Sequence, residues 1–213
     1  MTKVLLFVAC AAVAQAQSMD MQAISQALGV RCDYCHANTA GQKKSVALAM
    51  IAMTRDLNEK IQQATGKPPA ETSRVDCITC HRGVPIPQPL SAIILRTVIE
   101  KGGAAAADQY RDLRKQFFGR ATYDFSEDAL LQMVQRVVQS KPDDAIALLR
   151  MSLDFNPQSA KTYAMIGFAY TRKSDDDQAL ANLKKSQELD PTDAMVRGRI
   201  EQLEEYRRRK LRQ

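Results

Sequence analysis

A chain of 213 residues has room for one or two small domains. Its formal charge of +6 does not point to nucleic acid as a partner. Tryptophan is absent and aromatic residues make up only 6%, few for an ordinary apolar core, so some apolar surface is expected from a source other than side chains.

Residues 1–16 read as a secretory signal peptide. Lys3 supplies the positive start, Val4 to Val13 is an apolar run too short to span a bilayer, and Ala14-Gln15-Ala16 is a small-residue cleavage site. The mature chain then begins at Gln17 and is expected to be periplasmic or secreted, with no transmembrane anchor after cleavage. Cys10 leaves with the signal. Phe7 stands three residues before it, where a lipidation signal needs a leucine-like residue, so acylation is not expected. The four cysteines that remain fall into two identical patterns.

The first pattern follows a short helix. Met21, Ile24 and Leu28 share one face of a helix expected over 19–28, and Gly29 is a natural stop. Met19 lies about 200° around that helix from Met21, so Met21 is the methionine on the apolar face. Cys32-Asp33-Tyr34-Cys35-His36 comes next. A longer helix is expected over 45–64, with Val46, Met50, Met53, Leu57 and Ile61 as its apolar stripe. Gly66-Lys67-Pro68-Pro69 breaks it, and a polar loop leads to Cys77-Ile78-Thr79-Cys80-His81. The order helix, turn, C-x-x-C-H thus occurs twice, which suggests a duplicated unit.

C-x-x-C-H is the attachment pattern for c-type haem. Cys32 and Cys35, and again Cys77 and Cys80, would bond covalently to the haem edge, with His36 and His81 as proximal iron ligands. The chain has two histidines and both are spent here, so histidine cannot supply the far side of either iron. Methionine is the usual strong candidate for that position. Met21 is proposed for one site. For the other, Met50 and Met53 lie on the same stripe, and periodicity does not choose between them. Four cysteines in two pairs could instead hold zinc, but the histidine after each pair and the signal peptide favour two covalently attached haem c groups. Four propionates would then offset much of the positive charge. Arg55, one residue off the stripe, is a candidate propionate contact or a solvated arginine. Tyr34 is a spacer or a haem neighbour. Val84 to Leu90, with prolines at 85, 87 and 89, should be an extended strap.

Three segments carry a family resemblance: Leu28 to His36, Met50 to Asn58, and Val75 to Gly83 followed by Pro85 and Pro87. Together, over about residues 19–89, they resemble the multihaem cytochrome c subunit of photosynthetic reaction centres. The resemblance implies a helix before each attachment site, His/Met ligation at most haems, and electron delivery through a chain of haems. By the resemblance, Met21 matches the ligand eleven residues before a first cysteine. Met50 matches the ligand three residues before the Met-Thr-Arg-x-x-Asn segment, with Met53 as the runner-up. Photosynthetic members typically carry four haems, where this chain has two motifs.

Residues 91–125 are expected to form a helical bridge: helices over 90–101 and 104–118, parted by Gly102-Gly103. From Ser126 the chain repeats. Ala145, Leu149, Ser152 and Pro157 recur as Ala179, Leu183, Ser186 and Pro191, each 34 residues on, the period of tetratricopeptide (TPR) repeats. The unit 160–193 resembles that pattern closely, through Tyr163, Ile166, Gly167, Tyr170, Ala179, Leu183 and Pro191. The unit 126–159 is weaker, with Met133 where glycine is usual. A capping helix over 193–211 would end the chain.

The sequence therefore predicts an all-α protein with a dihaem cytochrome domain over 17–90, the bridge, and TPR-like repeats over 126–213. The expected role is transfer of single electrons between redox partner proteins, with the TPR region for docking or self-association and no enzymatic activity. A peroxidase-like dihaem enzyme would need an open iron position and distal acid–base groups, for which no histidine remains. A redox-sensitive TPR scaffold is the other alternative.

Overall fold

The computed structural model describes residues 20–38, 40–210 and 212, so the signal segment, Cys10 and Met19 lie outside the described residues. Every regular element among the described residues is helical: α1 Met21–Leu28, α2 Asp33–His36, α3 Lys43–Thr65, a 3₁₀ turn Pro69–Glu71, α4 Cys77–His81, α5 Leu90–Phe117, α6 Glu127–Gln135, α7 Pro142–Leu153, α8 Ala160–Arg172, α9 Asp176–Leu189 and α10 Ala194–Lys210. None is long and apolar enough to cross a membrane. The chain divides into two compact units, one ending at Pro85 and one beginning at Ile86.

In the first unit the helix ends are set by sequence signals. The Asp20 carboxylate accepts the N–H groups of Gln22 and Ala23 at 2.9 and 3.1 Å, which caps α1. At its other end Gly29 turns left-handed, and the N–H groups of Gly29 and Val30 bond back to Gln26 and Ser25, a Schellman stop. Helix α3 also ends at a left-handed glycine, Gly66, with the single bond from its N–H to the Gln62 carbonyl at 2.9 Å. Helix α1 packs against α4, and α2 against α3. What this unit lacks is a core. Among its described residues only Ala27, Ala40, His81 and Val84 are buried, and α3, 23 residues long, buries none.

The second unit is the opposite case. Its core runs from Leu90 and Ile94 on α5 through Leu148, Leu149 and Leu183 to Ile200 and Leu203 on α10. Helix α5 shares this core. Its helical backbone is interrupted at Gly102, where φ is 84°, so two helical arms meet at a kink. Gly103 lets α5 touch the start of α7: its N–H donates to Asp144 Oδ1 at 2.7 Å, and a Cβ there would lie 2.4 Å from the Asp144 Cα. Helices α6 and α7, then α8 and α9, form successive hairpins, and α10 closes the stack. Ser126 and Ser159 cap α6 and α8 through their hydroxyls. At Gly167 a Cβ would lie 2.6 Å from Leu183 Cγ, so the missing side chain is what lets α8 meet α9.

Because α5 belongs to the core of the second unit, residues 86–213 expressed alone should melt in one cooperative transition. Residues 126–213, stripped of Ile94, Val98 and Tyr110, should not. Thermal circular dichroism of the two fragments checks this.

Candidate cofactor-attachment site

Each C-x-x-C-H sits on a one-turn helix. A spacing of three residues in helical backbone puts both sulfurs of a pair on one side, and histidine follows directly. The backbone N–H of Cys35 bonds to the Cys32 carbonyl at 3.3 Å and that of His36 to the same carbonyl at 3.1 Å, which closes the first turn. At the second, the Asp76 N–H donates to Thr79 Oγ1 at 3.0 Å, which fixes the entry to α4. None of the four described cysteines is in a disulfide; Cys32 and Cys80 are exposed, Cys35 and Cys77 half-buried. They are divided between the two turns, and among the described residues no three His, Cys, Asp or Glu side chains are grouped to hold a metal ion directly.

The histidines differ in setting. His81 is buried, and its Nδ1 lies 2.9 Å from the Val84 carbonyl oxygen. A carbonyl only accepts, so Nδ1 carries a proton, which orients the ring and leaves Nε2 as the nitrogen to ligate a metal. His36 is exposed. Its counterpart to Val84 would be Thr39, which lies outside the described residues. Tyr34 has the Lys43 ammonium 4.1 Å from its ring centroid.

The candidate methionines lie on uncovered apolar surface. Met21 is 46% exposed, Met50 36% and Met53 43%, with Val46 and Leu57 exposed beside them. The stripe expected on α3 is therefore present but is mostly not the face that meets protein. The more covered positions are Ala47, Ile51, Thr54, Asn58 and Ile61, largely one residue further round. Asn58 anchors this face. Its Nδ2 donates to the Val75 carbonyl at 2.8 Å and to the Thr54 carbonyl at 3.0 Å, and its Oδ1 accepts the Val75 N–H at 2.8 Å. One amide side chain thus ties α3 to the segment that delivers Cys77. The Thr54 hydroxyl turns inward to the Met50 carbonyl at 2.8 Å.

Helix α1 lies against α4 rather than against the attachment turn that follows it. Backbone contact explains this. The Gly83 N–H donates to the Ala27 carbonyl at 2.8 Å, and a Cβ on Gly29 would fall 2.2 Å from the Gly83 carbonyl oxygen. Two clefts border Cys77. One, of about 490 Å³, lies between α1 and α4; the other, of about 310 Å³, is lined by Ile24, Ile51, Arg55, Asn58 and Arg74 among others. Arg55 and Arg74 give the second cleft two guanidiniums, opposed by Glu59 and Asp76.

These features fit a covalently held haem. Paired cysteines precede each histidine, one imidazole is oriented by a carbonyl at Nδ1, and an apolar methionine face in the same unit is only partly covered by protein. Sequence reasoning placed the cysteines, histidines and methionines but gave no role to Asn58, Gly83 or Val84. Asn58 was visible only as the last residue of the Met-Thr-Arg-x-x-Asn segment; the partners of all three come from distant or backbone contacts that no residue pattern marks.

A scan against protein families matches residues 39–166, more than half of the chain, to the photosynthetic reaction centre cytochrome c subunit. The photosynthetic reaction center cytochrome c subunit of Rubrivivax gelatinosus (strain NBRC 100245 / IL144) is 32% identical over 78 residues, which cover 30% of this chain and 21% of that protein. The chain thus spans about a fifth of the length of this curated relative. No solved structure matches.

Gly29 and Gly66 provide a test of the α1–α4 contact. Both have positive φ, but a Cβ at Gly66 meets nothing within 4 Å. Gly66→Ala should cost roughly 1 kcal/mol, the left-handed penalty alone. Gly29→Ala adds a backbone collision and should cost upwards of about 3 kcal/mol. Denaturant titration of the haem-loaded protein, followed at its visible absorption, compares them.

Proposed function

The chain belongs to the photosynthetic reaction centre cytochrome c subunit family, and from that premise we propose that it is an exported dihaem c-type cytochrome that passes single electrons between redox partner proteins. What carries the reading is the C-x-x-C-H turn occurring twice within one compact unit of a chain of this family. Bound haem c supplies a one-electron iron couple. The rest of the work falls to this chain's residues. Cys32, Cys35, Cys77 and Cys80 hold the two groups, and His36 and His81 ligate from one side. Met21 and Met50 ligate from the other, which favours a raised potential. The Val84 carbonyl accepts the proton of His81 Nδ1, so Nε2 is the nitrogen that faces the iron. Arg55 and Arg74 are placed to meet carboxylates beside Cys77.

Residues 1–16 serve export and are removed as a signal peptide. The mature chain then comprises the dihaem domain over 17–90 and the helices beyond it. The hairpins over 126–193 are TPR-like, supported by the 34-residue recurrence of Ala145, Leu149 and Ser152 and by the close α8–α9 approach at Gly167. Their role is docking of a partner protein or self-association.

Absorption spectroscopy of the haem-matured protein, oxidised and reduced, with haem quantified per chain, tests this. Two low-spin haems are expected, with a far-red methionine–iron band that falls by about half in Met21→Ala and again in Met50→Ala. One haem per chain would rule out the dihaem assignment. A persistent high-spin signal would replace the electron-carrier reading at that site with the enzyme one. A band lost in Met53→Ala but kept in Met50→Ala would move the ligand to Met53.

A further inference from the structure

Within the second unit, α8, α10 and the turn after α6 enclose a groove of about 840 Å³. Its floor is apolar, formed by Ala164, Met165 and Phe168 of α8, with Met195 of α10 at the side and 73% exposed. Gln135, Gln139 and Gln202 line it with amides, each able to both donate and accept. Gly198 lies in its wall, where a Cβ would meet nothing within 4 Å, so the wall leaves room beside the α10 backbone.

The charges in the groove have one sign. Lys161, Arg172 and Arg199 line it, and no carboxylate does. Lys161 is already matched by Asp128 at 2.9 Å. Arg199 reaches only a neutral group, Gln202 Oε1 at 3.3 Å, and among the described residues neither Arg172 nor Arg199 has a carboxylate partner. Several cations outside the groove have carboxylate partners. Lys184 pairs with Glu204 at 2.7 Å, Lys185 with Glu188 at 3.0 Å, Arg207 with Asp177 at 2.8 Å, and Arg209 with Glu205.

We infer that this groove binds a short, extended, acidic segment of a partner protein. Carboxylates of the segment pair with Arg172 and Arg199 in the forked geometry that guanidinium favours. An apolar side chain of the segment rests on Met165 and Phe168, and the glutamines meet its backbone. The inference rests on the docking role of the TPR-like hairpins and supplies the chemistry of what docks. Opposite charge would also speed encounter at low ionic strength.

The test is fluorescence anisotropy with the full, haem-matured chain at low ionic strength. The probe is a labelled octapeptide of glutamate and aspartate with one leucine and one phenylalanine; its control has lysine in place of every acid. Saturable binding of the acidic peptide alone is expected, weakened by salt. The double variant Arg172→Gln/Arg199→Gln should weaken it by at least about tenfold, while Lys184→Gln, outside the groove, leaves it unchanged. Both arginines are surface groups, and circular dichroism of each variant confirms that it is folded. Equal binding of the lysine peptide, no saturable binding, or an unchanged affinity in the double variant overturns the inference. So does a dimer in sedimentation that the same two substitutions abolish without any peptide binding, which would assign the groove to a second copy of the chain. Haem absorption of the same sample is independent of the groove, so a fully haem-loaded protein that ignores the peptide counts against this inference and not against electron transfer.

Discussion

A backbone contact fixes how the two attachment turns stand to each other. Gly29, three residues before Cys32, lies so close to Gly83, two residues after His81, that no side chain fits between them. The Gly83 N–H completes the contact at the Ala27 carbonyl. Counting extended residues on either side, Cys32 and His81 cannot be more than roughly 23 Å apart, Cα to Cα. Two groups held covalently at such turns share one neighbourhood whatever their surroundings do. Backbone hydrogen bonds and missing Cβ atoms suit this task, because they leave no rotamer through which the spacing could drift.

The same unit keeps its turns in place while burying almost nothing of its own. Val46, Met50, Met53 and Leu57 stand in solvent along α3. At about 1.5–3 kcal/mol for each large apolar side chain fully buried, covering this stripe even in part is worth on the order of 5 kcal/mol. Whole domains are stable by only about 5–15 kcal/mol. A group that covers the stripe is therefore as consequential to this unit as the Leu and Ile core is to the second. Asn58 fits this picture. By bonding both backbone groups of Val75 it holds α3 to the second attachment segment through polar contacts, and the apolar stripe stays free for something else.

Much of this was legible in the sequence, and what was not had a common cause. The 3.6-residue period located α1 and α3, and Gly29 and Gly66 marked their ends, because those signals are local. The stripe from Val46 to Ile61 was read correctly as apolar. Periodicity reports which face avoids water, though, and not what covers it, so the face that meets protein at Ile51, Thr54 and Asn58 went unread. The pairing of α1 with α4 was missed for the same reason, since it depends on Gly83, 54 residues beyond Gly29. Gly102-Gly103 was visible as a break in a helix. That Gly103 is needed for contact with Asp144, 41 residues on, was not. The C-x-x-C-H pattern needs no distant contact to be read, because its spacing of three and four residues is local.

One irregularity in the second unit was visible as a departure from the repeat and acquires a physical meaning in the fold. Positions 133 and 167 are 34 residues apart. Gly167 gives up its side chain so that α8 and α9 can touch, whereas Met133 is buried, 3% exposed, and fills that thickness itself. Helix α6 is also the shorter, nine residues against thirteen for α8. The chain leaves it in a turn, where Val138 and Gln139 come to line the groove in place of a further helical turn. The rim on that side is thereby neutral, and every cation lining the groove comes from α8 or α10. A repeat with glycine at 133 would allow a closer and more regular hairpin. The methionine exchanges that regularity for a groove whose charge is carried by two helices and whose remaining wall is polar but uncharged.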